Sequence, residues 1–322
     1  MGKDFMLEII HEAIDDFVNK SLEEGATEDY IKEHLNKDRL SDAFEYLLKT
    51  ASQDSVETIE NIMFEKVLDL RSYDAEFLAR QHQKWGKAFV ASEALYICVL
   101  ESAESFAEYV NENYSKETSY LFCALCNIHA RALQIYYEIV CLNENGFADA
   151  AYARWRSMYE LTVVASFIYE NGENVAKSFL DAADTDDRYD WARASESLKK
   201  FKYKHITFSA IESKCGLPAE KWKDEYNFVN QLVHASPQGT MYRLGGDTSE
   251  SLPVGRTDWG MSISAIHSAL SLSQITAFYF STFAYGDGTL AILTFQKWVD
   301  KISGFYNEVE EECFSSDEHI DK

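Results

Sequence analysis

The stretch ALQIYYEIVCLNENGFADAAYARWRSMYELTVVASFIY, residues 132–169, decides the fold class. On both sides of Asn145-Gly146, apolar side chains recur at spacings of three and four residues, which is the period of an α-helix. The Asn-Gly pair indicates a tight turn, and a short turn makes neighbouring helices antiparallel. The stretch therefore predicts a helical hairpin, with one helix over 119–143 and the other over 148–170.

The rest of the chain favours the same class, an all-α multi-helix bundle with long antiparallel helices. Its 322 residues include only three prolines and 14 glycines, so few residues interrupt helices. Residues 236–259 hold two of the three prolines and are predicted to form a long loop. Apolar periodicity predicts further helices over 4–24, 28–50, 53–68, 73–113, 174–204, 219–235, 258–286 and 289–312.

Charge and periodicity predict three regions along the chain. Residues 1–70 form a charged helical region, which is either a separate lobe or an arm that docks on the rest. Residues 71–312 form the main helical bundle. Residues 313–322 form an acidic tail that is expected to fray.

The charge balance disfavours a nucleic-acid partner. The chain has 30 basic and 54 acidic residues, a formal net charge of −24, and such a chain repels a polyanion on average. Residues 199–205 are the basic cluster with interleaved aromatics, and a solvated helix end is the favoured interpretation over a local binding patch.

The termini and cysteines predict a cytoplasmic protein without a membrane span, metal or cofactor. No signal peptide is visible at the acidic N-terminus, and no run of 18 apolar residues occurs. Cys123-Ala-Leu-Cys126 matches a redox or zinc spacing, but it lies in an apolar helical run without a second ligand pair. Small buried side chains are the favoured interpretation.

The first candidate site lies on the second hairpin helix, at Arg154, Arg156, Tyr159 and Glu160. Its neighbours are nearly all apolar, and charges buried in such a helix must be paired. Arg156 and Glu160 are four residues apart and share a helix face, whereas Arg154 points elsewhere. The pair is either a structural contact or an anchor for an anionic substrate, which suits the bidentate donors of arginine.

The second candidate site is Asn227, Asn230 and His234, whose spacings of three and four residues place them on one helix face. His234 is predicted in the last helical turn before Pro237, where the carbonyl end of the helix favours a protonated imidazole. It is either a general acid or base, or a polar contact that closes the bundle against another helix.

The hairpin and the later segment NQLVHAS, residues 230–236, resemble an uncharacterised bacterial family, the domain-of-unknown-function family numbered 5677. The likeness covers roughly residues 75–285 and includes a glycine turn, an R-S-x-[YF]-E pattern and a V-H motif further on. Matched residue by residue, it marks Arg156, Glu160 and His234 as the shared polar positions. The family name implies no reaction.

That family is loosely similar to HEPN helical bundles, which occur in toxins and phage-defence proteins, and some of which are metal-independent ribonucleases. Their signature is an arginine four to six residues before a histidine on one helix. This sequence departs from the signature, because no arginine precedes His234 at that spacing.

Two functions are therefore predicted. The favoured one is a non-catalytic interaction and oligomerisation module of a bacterial defence or stress system, either a homo-oligomer or the partner of another protein. The alternative is an RNA-cleaving or nucleotide-processing enzyme, with His234 as acid or base and Arg156 as anion clamp.

Overall fold

The computed structural model describes residues 5–114, 119–186, 188–217, 219–234, 237–241, 244 and 254–317. Helices and turns make up these ranges and no strand occurs in them, so the predicted all-α class is confirmed. None of the helices in the described ranges has the length and apolarity that a membrane crossing requires. The helices are α1 Phe5–Glu23, α2 Glu28–His34, α3 Lys37–Asn113, α4 Tyr120–Glu144, α5 Ala148–Asn171, α6 Glu173–Asp181, α7 Phe208–Glu212, α8 Ala219–Val233, α9 Pro237–Met241, α10 Met261–Phe280 and α11 Gly286–Asp317.

The chain divides into two compact units, Met1–Ala75 and Glu76–Lys322. In the smaller unit, α1 ends in a left-handed glycine, Gly25 at φ +81°. The Thr27 hydroxyl then accepts the backbone N–H of Tyr30 and caps α2. Side chains of α1, α2 and the first turns of α3 surround one apolar cavity, lined by Ile10, Ala13, Ile14, Phe17, His34, Leu35, Leu40, Phe44 and Leu47.

The turn between α4 and α5 is a helix C-cap that requires glycine. Gly146 has φ +72°, its N–H donates to Asn143 O at 2.9 Å, and Phe147 N–H donates to Leu142 O at 2.8 Å. These two bonds are the Schellman pattern, which satisfies the last carbonyls of α4. The Asn-Gly turn inferred from the sequence is thus present.

Contacts at both ends of α4 and α5 make the two helices antiparallel. Near the turn, Arg154 of α5 donates to Glu138 of α4. At the far end, Glu173, which begins α6 two residues after the end of α5, accepts through its carboxylate from Ser119 Oγ at 2.6 Å and from Tyr120 N at 2.8 Å. The carboxylate therefore satisfies N–H groups at the start of α4, where negative charge is favourable.

The second part of α3, together with α10 and α11, completes the core of the larger unit. Phe89 and Phe106 of α3 are fully buried. Trp298 of α11 donates through Nε1 to Ala91 O at 2.9 Å. Because α10 packs against α4, α5 and α11 and buries mostly Ser, Ala and Thr on those faces, its neighbours approach closely.

The sequence prediction placed breaks near residues 51–52 and 69–72, and both breaks are wrong because α3 runs without interruption from Lys37 to Asn113. Two serine hydroxyls in this stretch bond back to their own helix. Ser52 Oγ donates to Lys49 O at 2.8 Å, and Ser55 Oγ donates to Ala51 O at 2.7 Å. Such back-bonding lets serine continue a helix.

The predicted helix over 174–204 is also wrong beyond Asp181, where α6 ends. Two short 3-10 helices, Ala182–Asp184 and Asp190–Ala194, and a side-chain network take the place of a long α-helix there. Asp190 accepts from Ile206 N at 2.8 Å, and Arg193 donates to Tyr203 O at 2.7 Å and to Lys204 O at 2.9 Å. The basic cluster at 199–205 is consequently a folded-back turn and not a helix end.

The region predicted as one loop, 236–259, contains the short helix α9, and residues 245–253 lie outside the described ranges. Its last residues are fixed in place: Thr257 N–H donates to Gly146 O at 2.8 Å, and Gln81 donates to Thr257 O at 2.9 Å. The final helices also differ from prediction. Gly260 at φ +84° delays the start of α10, and α11 extends through Asp317 into the predicted tail, of which residues 318–322 lie outside the described ranges.

Candidate functional site

Arg156 and Glu160 of α5 form an ion pair at the surface of the larger unit. Arg156 Nη2 lies 3.2 Å from Glu160 Oε1, and the two side chains are 32% and 22% exposed. Tyr226 of α8 joins them, because its hydroxyl donates to Glu160 Oε1 at 3.0 Å and its ring centroid lies 5.8 Å from the Arg156 guanidinium carbon. Glu160 is therefore ion-paired within α5 and hydrogen-bonded to α8.

Tyr159 of α5 forms a second hydrogen bond between a phenol and a carboxylate, in this case with α7. Its hydroxyl donates to Glu212 Oε1 at 2.6 Å, which ties α5 to α7. Its ring centroid lies 4.8 Å from that of Tyr226, and Phe208 stands 5.5 Å from Tyr226. The carboxylates of Glu160 and Glu212 thus lie beside a cluster of three aromatic rings, those of Tyr159, Phe208 and Tyr226.

The phenols of this cluster stay protonated. Burial raises the pKa of Tyr159, and the hydrogen bond to Glu212 raises it further. Burial raises the pKa of Tyr226, and the negative charge of Glu160 adds to the effect. Burial and the negative charge of Glu160 likewise raise the pKa of Tyr189, and the positive charges of Arg188 and Arg156 reduce this increase. These phenols are hydrogen-bond donors at neutral pH, and those of Tyr159 and Tyr226 are already engaged with carboxylates.

One N–H group of the Arg156 guanidinium has no acceptor in the part of the chain that the structure describes. Within the described residues, its Nε is buried and has no hydrogen-bond partner. An anion could reach this guanidinium only in competition with Glu160, since the charge is already neutralised. The contacts of this cluster dock α7 and α8 on α5.

Arg154 does not belong to this cluster. It pairs with Glu138 of α4 through Nε, and Nη1 lies 3.5 Å from Ser157 Oγ. The residue is therefore part of the hairpin contact between α4 and α5.

The three candidate residues of α8 do not join the cluster either. Asn227 and His234 are exposed, and α8 ends at Val233, so His234 directly follows its last helical residue. Among the described residues, no hydrogen bond or ion pair involves the His234 imidazole. Asn230 is half-buried, and its Oδ1 is buried without a partner in the same part of the chain. The predicted roles of these residues stay predictions.

Two histidines of the core, His129 and His267, were not among the site residues predicted from the sequence. Burial lowers the pKa of His129 to about 3, and its Nε2 lies 3.0 Å from Thr276 Oγ1. Burial lowers the pKa of His267, whose ring stands 4.9 Å from Trp155 and 5.1 Å from Trp222. No group of three potential metal ligands occurs in the described ranges. These histidines were missed because a single histidine in an apolar helix has no pattern of its own.

A different kind of candidate surface lies in the smaller unit, on α3. Between residues 56 and 73, nine large apolar side chains are 40–74% exposed. Five of them, 40–62% exposed, form what we call the α3 stripe: Val56, Ile59, Met63, Val67 and Leu70. At 100° per residue, these five lie within an arc of about 80°. Contiguous exposed apolar surface of this kind marks interaction sites.

The comparisons with known proteins concern one part of the chain. The model of a family of unknown function (DUF5677) matches residues 122–196, which is less than half of the chain. No curated protein and no solved structure matches the chain. The match agrees with the resemblance inferred from the hairpin and gives no reaction, and no comparison supports the looser likeness to HEPN bundles.

The matched segment separates the two sets of candidate residues. It runs from α4 through α5 and α6 to the turns that follow. Residues inside it are Arg154, Arg156, Tyr159 and Glu160, and residues outside it are Asn227, Asn230 and His234. The α3 stripe also lies outside it.

Proposed function

We propose that this chain is a helical interaction protein that self-associates through exposed apolar surface. The observation that supports this function is the set of nine exposed apolar side chains on α3 between residues 56 and 73. A bacterial defence or stress system as its setting rests on the resemblance alone and stays part of the proposal.

Energetics favour a covered α3. Burying apolar area contributes about 25 cal/mol per Å², so a stripe left in water forgoes several kcal/mol. Helices without tertiary packing are also marginal in water, because most helical stability in proteins comes from a buried apolar face. A continuous helix with this much exposed apolar surface is expected to have a partner.

The polar cluster on α5 supports a structural role over a catalytic one. Arg156 is neutralised by Glu160, and Tyr226 and Tyr159 already donate to carboxylates. The net charge of −24 also disfavours a polyanionic substrate.

The test is the molar mass of the full chain in solution, measured by light scattering over a range of concentrations. A self-associating chain gives a mass at or above twice 36.9 kDa at micromolar concentration. A mass of 36.9 kDa that stays constant up to the highest soluble concentration contradicts the proposal.

A second candidate function, a HEPN-like ribonuclease or nucleotide-processing toxin, has one observation in its favour. Arg156 Nε is buried without a partner among the described residues and could receive an anion that displaces Glu160. In this proposal Arg156 holds the anion and His234 moves the proton.

Growth on expression tests the second candidate. A toxin slows growth, and His234→Ala and Arg156→Ala each restore it, while Lys177→Ala, at an exposed surface pair, leaves toxicity intact. Equal growth of all four strains, with no RNA cleaved by purified protein, excludes it.

A further inference from the structure

We propose that the α3 stripe pairs with the α3 stripe of a second copy of this chain, antiparallel, with the two-fold axis at Met63. The inference rests on the proposed self-association and assigns to it a surface, a partner and an orientation.

The spacing of the stripe is the same read from either end. Its positions, 56, 59, 63, 67 and 70, are separated by three, four, four and three residues. Two antiparallel copies centred on Met63 therefore place Val56 against Leu70 and Ile59 against Val67, and each Met63 meets its own counterpart. A two-fold interface needs such self-complementarity.

The stripe is also free of charge along its length. Within residues 56–70, Glu57, Glu60, Glu65, Lys66 and Asp69 all fall outside the arc of about 80° that holds the five apolar residues. The charged side chains stand on the flanks, as they do beside the seam of a coiled coil. Closing the two stripes on each other consequently places the charged side chains at the margins of the contact and not at its centre.

Charge and connectivity favour the antiparallel orientation. Around a centre at Met63, Glu57 lies about two residues, or roughly 3 Å along the axis, from the level of Arg71 in the second copy, and symmetry repeats the pair. In a parallel pair, each charged residue would stand at the level of the same residue in the second copy, so that like charges would be neighbours. A parallel pair would also bring the beginnings of both larger units to the same end of the helix pair. Antiparallel pairing instead places Ala75 of one copy opposite Ala51 of the other.

Disulfide trapping in the full-length chain tests the surface and the orientation together. The background carries Cys98→Ser, because Cys98 is exposed, and Cys313→Ser. Met63→Cys, Val56→Cys, Leu70→Cys and Phe64→Cys are each oxidised alone. Phe64 is the matched control, since it is highly exposed but lies about 100° around the helix from Met63.

Antiparallel pairing predicts a covalent dimer with Met63→Cys alone, at roughly tenfold the yield of Phe64→Cys, because only cysteines with Cα atoms closer than about 7 Å can bridge. Val56→Cys and Leu70→Cys each give no more dimer than the control, but an equal mixture of the two cross-links. If Val56→Cys and Leu70→Cys each cross-link alone, the pairing is parallel and the inference is wrong.

The outcomes separate this inference from the function on which it rests. A chain that is dimeric by light scattering but does not cross-link through Met63→Cys associates through another surface, which refutes the α3 pairing and leaves self-association intact. A chain that is monomeric by light scattering and gives no cross-link refutes both.

Discussion

At the residue scale, Glu160 holds the polar cluster of the larger unit together. Its carboxylate accepts from Tyr226 of α8 and pairs with Arg156 of its own helix, so one side chain connects two elements. Removing its charge would leave the half-buried guanidinium of Arg156 without its partner, which costs more than an exposed ion pair is worth.

Glu160→Gln is therefore expected to lower the free energy of unfolding by about 1–3 kcal/mol. The matched control is Asp181→Asn, which breaks an exposed pair of the same spacing with Lys177 and should cost less than about 0.5 kcal/mol. Urea denaturation of both variants measures the difference. Equal losses would mean that Glu160 contributes no more than a surface charge.

His129 gives the molecule a defined dependence of stability on pH. Its folded pKa is about 3, and an unfolded histidine titrates near 6.5, so the unfolded state binds the extra proton first as pH falls. Above about pH 6.5, His129 is neutral in both states and does not lower the free energy of unfolding. Below that pH, the free energy of unfolding falls by about 1.4 kcal/mol per pH unit because of this residue.

Between pH 6.5 and 5 the wild type should therefore lose about 2 kcal/mol more stability than His129→Gln, which does not titrate. Carboxylates contribute equally to both proteins and cancel in the comparison. Parallel stability curves over that range would show that His129 is protonated, or solvated, in the folded state.

Part of the candidate site could be predicted from residue spacing and part could not. Arg156 and Glu160 lie four apart on one helix, so helix geometry alone brings them together. Their neighbours Tyr226 and Glu212 come from α8 and α7, and no spacing along the chain encodes a distance between separate helices. The same limit left His234 grouped with Arg156, although the structure describes no contact between them.

At the scale of the element, the turn between α4 and α5 depends on the absence of a side chain at Gly146. A Cβ there would stand 2.6 Å from Phe77 Cζ and 2.7 Å from Thr257 O, and the residue is left-handed at φ +72°. Both the conformation and the space therefore require glycine.

Gly146→Ala should consequently destabilise the larger unit by about 3 kcal/mol. Gly86→Ala is the contrasting substitution, because Gly86 lies inside α3 with nothing within 4 Å of the added Cβ. Alanine there should stabilise by about 0.5–1 kcal/mol. Thermal unfolding followed by circular dichroism gives both values, and a neutral Gly146→Ala would contradict the described turn.

Some helix boundaries could be predicted from the sequence and others could not. The hairpin was predictable because an Asn-Gly pair between two apolar repeats has one favoured outcome. A serine that caps a helix and a serine that bonds back to its own helix, as Ser52 and Ser55 do, look alike in sequence, so the pattern near residues 51–52 could not distinguish a break from a continuous helix. In the segment after Asp181, Asp190 and Arg193 reach backbone groups 8 to 16 residues away, which a local pattern cannot anticipate.

At the scale of the whole molecule, two surfaces of opposite character coexist. The polar cluster on α5 has its charges paired, whereas the α3 stripe leaves five apolar side chains 40–62% exposed. The partly buried charges of the first surface are satisfied within the chain, whereas exposed apolar surface of the second kind marks interaction sites. The sequence predicted a homo-oligomer or a protein partner without a surface for either. The predicted helix over 53–68 already held four residues of the α3 stripe, and the structure adds that α3 continues through Leu70 and that all five side chains are exposed.

Amide hydrogen exchange of residues 56–70, compared between the wild type, Met63→Glu and Phe64→Glu, tests the central claim most directly. A buried charge at the two-fold axis separates the copies, and an uncovered helix opens easily, so Met63→Glu should speed exchange in this segment by roughly tenfold or more. Phe64→Glu, one residue away, should exchange like the wild type, and amides of α4 should not change in either variant. Equal protection of residues 56–70 in all three proteins would show that nothing covers the α3 stripe.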